Sequence, residues 1–414
     1  MNSKSDLVVI GGGAAGLMCA ITAAERGVGV TLLDPNKKLG RKVRITGKGR
    51  CNVTNNCDIK GFMENIPSDG RFLYSALNRL SPADTIDYFE SHGIKLKTER
   101  GNRVFPVSDN ANEVADMLAE QCSKLGVKII RTTASRILTE NGAVSAVETG
   151  DGIIKCAAAA VCTGGMSYPL TGSKGDGYKF ARQFGHNIIQ PRASLVPLES
   201  DDDYCGEMQG FSLRNVSLSL YEDDKLIYKE LGELLFTHFG LSGPLVLSAS
   251  SHMRNRDNAR YAVKIDLKPA LDEKKLDARI LRDFELFSNR EFKNSLDKLA
   301  GKTMIPVLVK LSGIYPEQKV NTITHEQRMK LVKLFKEFPV SISGTRPIEE
   351  AIITSGGVDT KEINPRTMES KLVEGLYFAG EVLNLDGYTG GFNLQIAWST
   401  GFVAGKSVLK DEIL

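Results

Sequence analysis

Residues Leu7–Asp34 read LVVIGGGAAGLMCAITAAERGVGVTLLD. A short apolar run, Leu7 to Ile10, enters a turn that holds Gly11, Gly13 and Gly16 in the G-x-G-x-x-G spacing, and an alanine-rich helix pattern follows to Arg26 and stops at Gly27. Val28 to Leu33 reads as a second strand, and Asp34 ends it at close to the roughly 20-residue distance expected of a ribose-binding carboxylate. Each residue type has a physical task. Gly11 permits the tight turn, Gly13 lets the backbone approach a pyrophosphate, and Gly16 lets the helix pack closely on the sheet. The helix aims its free N–H groups and positive dipole end at phosphates, and Asp34 can accept from ribose hydroxyls. A glycine-rich turn alone would be only a turn; strand, turn, helix, strand and acid in register imply dinucleotide binding.

At 414 residues the chain is long enough for two or three domains. Its 53 Lys+Arg nearly balance 50 Asp+Glu, so the overall charge points to neither nucleic acid nor an anionic membrane. A small-molecule partner is expected, with no stable nucleic-acid partner and no membrane. Seven cysteines without paired spacing fit free thiols in a reducing compartment, and the expected location is cytoplasmic. No leader pattern and no uncharged apolar run of roughly 18 residues is seen. The five histidines, at 92, 186, 238, 252 and 325, have no metal-ligand spacing.

After Asp34 comes PNKKLGRKVRITGKGRCNVTNNCD, which carries seven Lys and Arg residues before the acid Asp58. A phosphate-binding P-loop is excluded, because Gly40 and Gly47 are too far apart and Lys48 precedes Gly49 rather than Ser or Thr. The segment reads as a cationic loop that can wrap the phosphates and ring end of a long dinucleotide through backbone N–H groups and side-chain charge. Helices are expected over Ser81–Gly93, opened by Ser81-Pro82, and over Asn112–Leu125. Strands are expected at Val127–Arg131, at Ile137–Glu148 around an Asn141-Gly142 turn, and at Cys156–Cys162, which runs into Thr163-Gly164-Gly165. Beyond Pro191 the alternation of Val216, Leu218 and Leu220, and of Tyr261, Val263 and Ile265, reads as half-buried antiparallel sheet. Leu271 to about Phe338 is charged and helical, and Ser341 to Ile353 returns to strand.

The stretch GLYFAGEVLNLDGYTGGFNLQIAWSTGFVAG repeats the logic of the opening: strand Leu376–Ala379, Gly380 and Glu381, then Gly390-Gly391 and a helix of small residues to about Ala404. A nicotinamide enzyme usually continues directly into a second αβ half. Here the second nucleotide-like element waits until residue 380, which favours FAD, a long cofactor that two distant segments can hold. No second G-x-G-x-x-G accompanies it, so NAD(P)H, where used, is a transient electron donor.

LGRKVRITGKGRCNVTN, FTHFGLSGP, TSGGVD and the C-terminal stretch resemble the BaiN/YhiN-type flavoproteins, the aminoacetone oxidase family of FAD-binding enzymes, over essentially the whole chain. The resemblance implies an α/β fold: a Rossmann-like FAD-binding domain built from both chain ends (1–190 and 355–414), an inserted antiparallel β-barrel-like domain (191–270 and 339–354) and a small helical lobe (271–338). It implies that Gly11, Gly13, Ala14, Gly16 and Asp34 hold the adenosine diphosphate of a non-covalent FAD. Arg41, Lys42, Thr46, Gly47, Gly49, Arg50, Cys51 and Asn52 would follow the pyrophosphate to the flavin, and Ala134 would lie beside the adenine. Thr163 and Gly164 would contact the cofactor by backbone, and Gly380, Glu381, Gly391, Phe392 and Asn393 would hold the ribityl chain and ring edge.

The expected activity is FAD-dependent hydride transfer between flavin N5 and a small organic substrate, either as an NAD(P)H-driven reductase or as an amine or C–H oxidase. Its catalytic residues are not identified. His238 and Tyr388 are candidates for proton transfer, each with a structural alternative. Cys51 and Cys57 invite a dithiol-relay reading, against which stands the commoner role of small buried cysteines. Two other classes stay open: a flavoprotein acting on RNA, suggested by the basic segment, and a flavin-containing redox sensor without turnover.

Overall fold

The computed structural model describes residues 3–254 and 258–409. The chain divides into two compact units, residues 1–194 with 348–414, and residues 195–347. In the first unit, Leu7–Ile10 is buried on both faces, as a continuous apolar run must be in a parallel sheet covered by helices. It lies in the middle of a five-stranded parallel sheet in the order Leu376–Phe378, Ala158–Val161, Leu7–Ile10, Val30–Leu33, Lys128–Ile130. Chain order reverses between Leu7–Ile10 and Ala158–Val161, which makes the C-terminal ends of these two strands the crevice where such sheets bind ligands.

Helix Ala14–Ala24 follows the glycine turn, and helix Phe392–Ser407 packs on it. Their backbones touch: a Cβ at Gly401 would lie 2.3 Å from the Ala15 carbonyl oxygen, and one at Gly405 would lie 2.5 Å from that of Cys19. The crossover between Lys128–Ile130 and Ala158–Val161 is an antiparallel meander, Ala134–Glu140, Ala143–Thr149 and Gly152–Lys155. Asn141 and Gly142, at φ 50° and 85°, make the expected tight turn of its first hairpin. Helix Pro82–Ser91 opens on a capping box between Ser81 and Asp84, and helix Ala111–Lys124 is capped by Asn110.

The basic segment is not the loop its composition suggested. Arg41–Gly49 is helical, kinked where Thr46, Gly47 and Lys48 leave helical geometry, and its N-cap Gly40 is left-handed at φ 65°.

In the second unit a seven-stranded antiparallel sheet runs Phe338–Ile342, Tyr261–Asp266, Ser212–Glu222, Lys225–Thr237, Gly240–Ser242, Leu198–Glu199, Gly344–Thr345. Its two edge strands are separated in the chain by Ser343 alone, so the sheet must curl back towards itself. Leu218, Phe236, Val263 and Ile265 of the sheet share one core with Leu276 and Ile280 of helix Glu273–Leu286, Leu308 of Ile305–Ser312 and Phe335 of His325–Lys336. The helices of this unit therefore cover the sheet and share its core.

Candidate functional site

At the crevice each glycine of the turn meets a different surrounding. Gly11 is left-handed, at φ 103°, and a Cβ there would sit 2.6 Å from the Cys162 carbonyl oxygen. A Cβ at Gly16 would fall 1.8 Å from the Gly11 carbonyl oxygen, so helix and turn are packed as tightly as backbone allows. A Cβ at Gly13 would meet nothing within 4 Å. Gly13 is also the N-cap of helix Ala14–Ala24; no side chain caps that helix and no acid lies in its first turn. Its first N–H groups thus face an open surface, as an anion-binding helix end requires.

The Asp34 carboxylate is buried and accepts from the Gly12 N–H and the Asn36 N–H, each at 2.8 Å. Each carboxylate oxygen has a further lone pair for a ribose hydroxyl, so Asp34 both shapes the turn and keeps acceptor capacity. Ala134 is half-buried at the start of the meander.

The cations of the basic segment are largely committed within the fold. Arg41 donates to Asn36 Oδ1 at 2.9 Å. Arg44 pairs with Asp116 at 2.6 Å. Arg50 pairs with Glu99 at 2.5 Å and Asp109 at 2.7 Å, with its guanidinium 4.1 Å from the Phe105 ring centroid. These partners hold the Arg50 pKa up and those of Glu99 and Asp109 down, the hydrogen bonds being the largest cause in each. Lys42 is placed otherwise: its Nζ donates to Ser167 Oγ and to Glu381 Oε2, both at 2.6 Å.

Glu381 is the hub of that cluster. Its Oε1 accepts from Ser167 Oγ at 3.0 Å and from the Thr354 N–H at 2.8 Å, while Thr354 Oγ1 accepts from the Met166 and Ser167 N–H groups. Four segments distant in sequence are thereby tied together. Ser167 and Thr354 escaped the residue-by-residue reading; the one signal was the TSGGVD motif, to which no role had been attached.

Thr46 donates from Oγ1 to the Val43 carbonyl at 2.7 Å and closes the short helix. Beyond Gly47 and Gly49, at φ 56° and 82°, Cys51 is fully buried, and burial pushes its thiol up to about 12. Cys57, half-buried, is raised as well. All seven cysteines are free. A Cys51 thiol so disfavoured as thiolate does not suit a dithiol relay.

Two buried polar atoms in the expected cofactor path, Asn52 Oδ1 and Thr163 Oγ1, have no hydrogen-bond partner among the described residues. Buried polar groups are nearly always satisfied, so these orphans fit an absent polar ligand. Gly164 follows, left-handed at φ 72°.

Gly380 donates its N–H to Thr400 Oγ1 at 2.9 Å, and a Cβ there would lie 2.7 Å from Ala15 Cβ. A Cβ on Gly391 would come within 2.3 Å of the Thr54 carbonyl. Gly391 is the N-cap of helix Phe392–Ser407, again with no side-chain cap and no acid in the first turn. Phe392 packs edge-on against Phe62, centroids 5.2 Å apart, and Asn393 clamps Gly387 through its N–H and carbonyl at 2.9 and 2.7 Å. Their side chains are thus used internally, and their backbone N–H groups are what this helix end offers a ligand.

His238 belongs to the second unit, where it is exposed and packs edge-on against Phe239. Tyr388 is half-buried in the loop before the Gly391 helix. No cluster of metal-binding side chains and no helix long and apolar enough to cross a membrane exists among the described residues.

A parallel sheet with its glycine turn at the switch point and two bare helix ends is the frame of a flavin-dependent oxidoreductase. The chain belongs to the family described as "HI0933-like protein Rossmann domain", whose model matches residues 5–407. It is 34% identical, over 98% of each chain, to the ribosomal RNA dihydrouridine synthase of Escherichia coli (strain K12). It is 28% identical to the 3-dehydro-bile acid delta(4,6)-reductase of Clostridium scindens, over 96% of this chain and 98% of the other. Among solved structures, the 3-ketosteroid-delta4-(5alpha)-dehydrogenase of Rhodococcus jostii RHA1 shares the fold, with TM-score 0.55 and 15% identity over 98% of this chain and 97% of that one.

Proposed function

We propose that this protein is an FAD-dependent reductase of a carbon–carbon double bond conjugated to a carbonyl, and that its substrate is a uracil base in ribosomal RNA. The names of these two relatives, each matched over nearly the whole chain, share one chemistry. Dihydrouridine differs from uridine by two hydrogens across the double bond conjugated to a ring carbonyl, and a bile-acid delta(4,6)-reductase acts on double bonds conjugated to a 3-oxo group. When bound, FAD supplies the hydride for such a reduction. The observation that carries the RNA reading is the 34% identity over nearly the full length of a protein named for that activity. The balanced net charge had argued for a small substrate, but a global sum does not register a local basic surface.

In this reading Gly13 and the bare end of helix Ala14–Ala24 hold the pyrophosphate, and Asp34 holds the ribose. Asn52 and Thr163 satisfy their orphaned oxygens on the cofactor. Glu381, fixed by Lys42, Ser167 and Thr354, keeps the Gly380–Glu381 turn rigid beside it. The N-terminal end of helix Phe392–Ser407 would offer its free N–H groups and positive dipole end to the ring edge. Electrons come from NADH or NADPH as a transient donor.

The test is to purify ribosomal RNA from a strain lacking this gene and incubate it anaerobically with the enzyme and either nicotinamide. Nucleosides would then be analysed by mass spectrometry. Dihydrouridine absent from the deletion strain and restored by the enzyme is the expected outcome. Identical dihydrouridine in deletion and parent strains, with flavin reoxidised instead by a steroid dienone, would move the reading to the small-molecule reductase that the bile-acid relative represents.

A further inference from the structure

The inserted unit carries a cleft that the cofactor chemistry does not use. A cavity of about 690 Å³ opens between the strand pair Ser212–Glu222 and Lys225–Thr237 and the loop Leu267–Leu271. A second hollow of about 270 Å³ shares Arg214, Leu267, Lys268, Lys298 and Leu299 with it and continues the cleft. Arg214, Lys268, Arg279 and Lys298 supply four cations to the larger cavity, and no acid lines it.

Three of the acids near by are ion-paired, while the exposed Glu233 stands opposite the Arg214–Asn215 bulge in the strand pairing and forms no ion pair among the described residues. Asp283 pairs with Arg279 at 3.0 Å, Asp266 pairs with Lys336 at 2.5 Å, and Asp297, at the smaller hollow, faces Arg290 at 4.0 Å. Arg214 and Lys268 form no ion pair among the described residues. Burial and the neighbouring Arg279 guanidinium hold the Lys268 ammonium below the ordinary lysine value, the condition of a partly buried cation without a counter-charge.

The backbone sets Arg214 in a bulge. The strand pairing slips between Leu213 and Val216, and Asn215 sits at φ 53°, a left-handed bulge that turns Arg214 and Asn215 out of the sheet. Between the cations the floor is apolar: Leu231 is 60% exposed and Leu271 half-buried. Apolar surface among cations, of which Arg279 is held by Asp283 and Lys298 lies over the Phe287 ring at 5.3 Å, fits a chain of anionic phosphates that carries stackable bases, because bases stack on apolar or guanidinium planes while the cations track the backbone.

We propose that this cleft is an RNA-binding site, in which Arg214, Lys268 and Lys298 hold phosphates of a single-stranded segment and Leu231 and Leu271 support its bases. The proposal rests on the reading of RNA as substrate and adds where the inserted unit grips it. Net charge conceals the site because acids elsewhere in the chain cancel it.

The test uses the full-length FAD-loaded protein and the R214Q/K298Q variant, both substitutions being at exposed positions. Binding of a fluorescein-labelled oligouridylate and of ribosomal RNA from the deletion strain is followed by anisotropy across a salt series. The flavin spectrum and thermal midpoint check the fold. The variant should bind about tenfold more weakly, and its log–log salt slope should fall by about 1.4, two single-strand phosphate contacts. Equal affinity and slope for both proteins overturns the cleft while leaving RNA as substrate. Wild-type protein that binds neither RNA, yet binds phosphatidylglycerol vesicles, overturns it in favour of a lipid surface. Loss of restored dihydrouridine without any change in RNA binding also overturns it, since the cleft acts through affinity.

Discussion

At the scale of single residues, the glycines of the opening turn can be told apart by what a methyl group would meet. Gly13 has ordinary backbone angles, φ −83°, and open space around its missing side chain. Gly13→Ala should fold with an unchanged thermal midpoint in the apo form yet bind FAD at least about tenfold more weakly, because the methyl occupies cofactor space. Gly16→Ala drives a carbon into the Gly11 carbonyl and should lower stability by about 1–3 kcal/mol or more before any ligand is added. Thermal melts of both apo variants and FAD titration check the contrast; equal melting losses would show that Gly13 is structural. This division of labour was legible because each glycine task follows from local spacing. The Glu381 cluster was not legible, since Ser167 and Thr354 are 187 residues apart and no local pattern records a hydrogen bond of that span.

Elements were read best where start and stop signals coincide with periodicity. Ser81-Pro82 as cap and first-turn proline announced Pro82–Ser91, and Asn141-Gly142 announced the hairpin. The basic helix was missed because its signals conflict: Gly40 is a cap without a side-chain oxygen, Gly47 and Lys48 are left-handed, and the charges masked the single buried Val43. The contact between helices Ala14–Ala24 and Phe392–Ser407 depends on Gly401 and Gly405. Gly401→Leu should push the helices apart, lowering the thermal midpoint and releasing FAD together, since the first helix carries the phosphate-facing end. Flavin retained at wild-type occupancy after gel filtration would show that the two helices are not coupled in this way.

For the whole molecule, composition was informative about thiols: all seven cysteines are free. Burial raises Cys51, Cys122 and Cys156 to about 12 and Cys205 to about 11. An unfolded cysteine titrates near 8.5. A folded-state value above the unfolded one gives stability that is complete below the unfolded pKa and lost as pH rises, because only the unfolded chain then releases its protons. The thermal midpoint should therefore be level from pH 7 to about 8 and fall between about 8.5 and 10. The fall should be shallower in a variant with Cys51, Cys122 and Cys156 replaced by Ala, when each is compared with its own value at pH 7. The switch between parallel-sheet and alternating patterns near residue 191 lies close to the division between the two units at 194 and 195. The shared core of the second unit was not legible, because its helices read as a separate charged stretch until Leu276, Ile280 and Phe335 are seen against the sheet.

The pairing of Ala14–Ala24 with Phe392–Ser407 also sets an order of events on the ribosome. The phosphate-binding helix emerges early, but the surface that covers it is among the last parts of the described chain to be made, tens of seconds later at roughly 5–20 residues per second. Residues 195–347 are continuous and own their core, so the inserted unit can complete itself while the nascent nucleotide-binding unit still lacks the cover that Gly401 and Gly405 bring to Ala15, Cys19 and Thr22. Vectorial synthesis thus makes cofactor capture a late event, and a translational stall before Phe392 would leave a chain with a finished insert and no flavin.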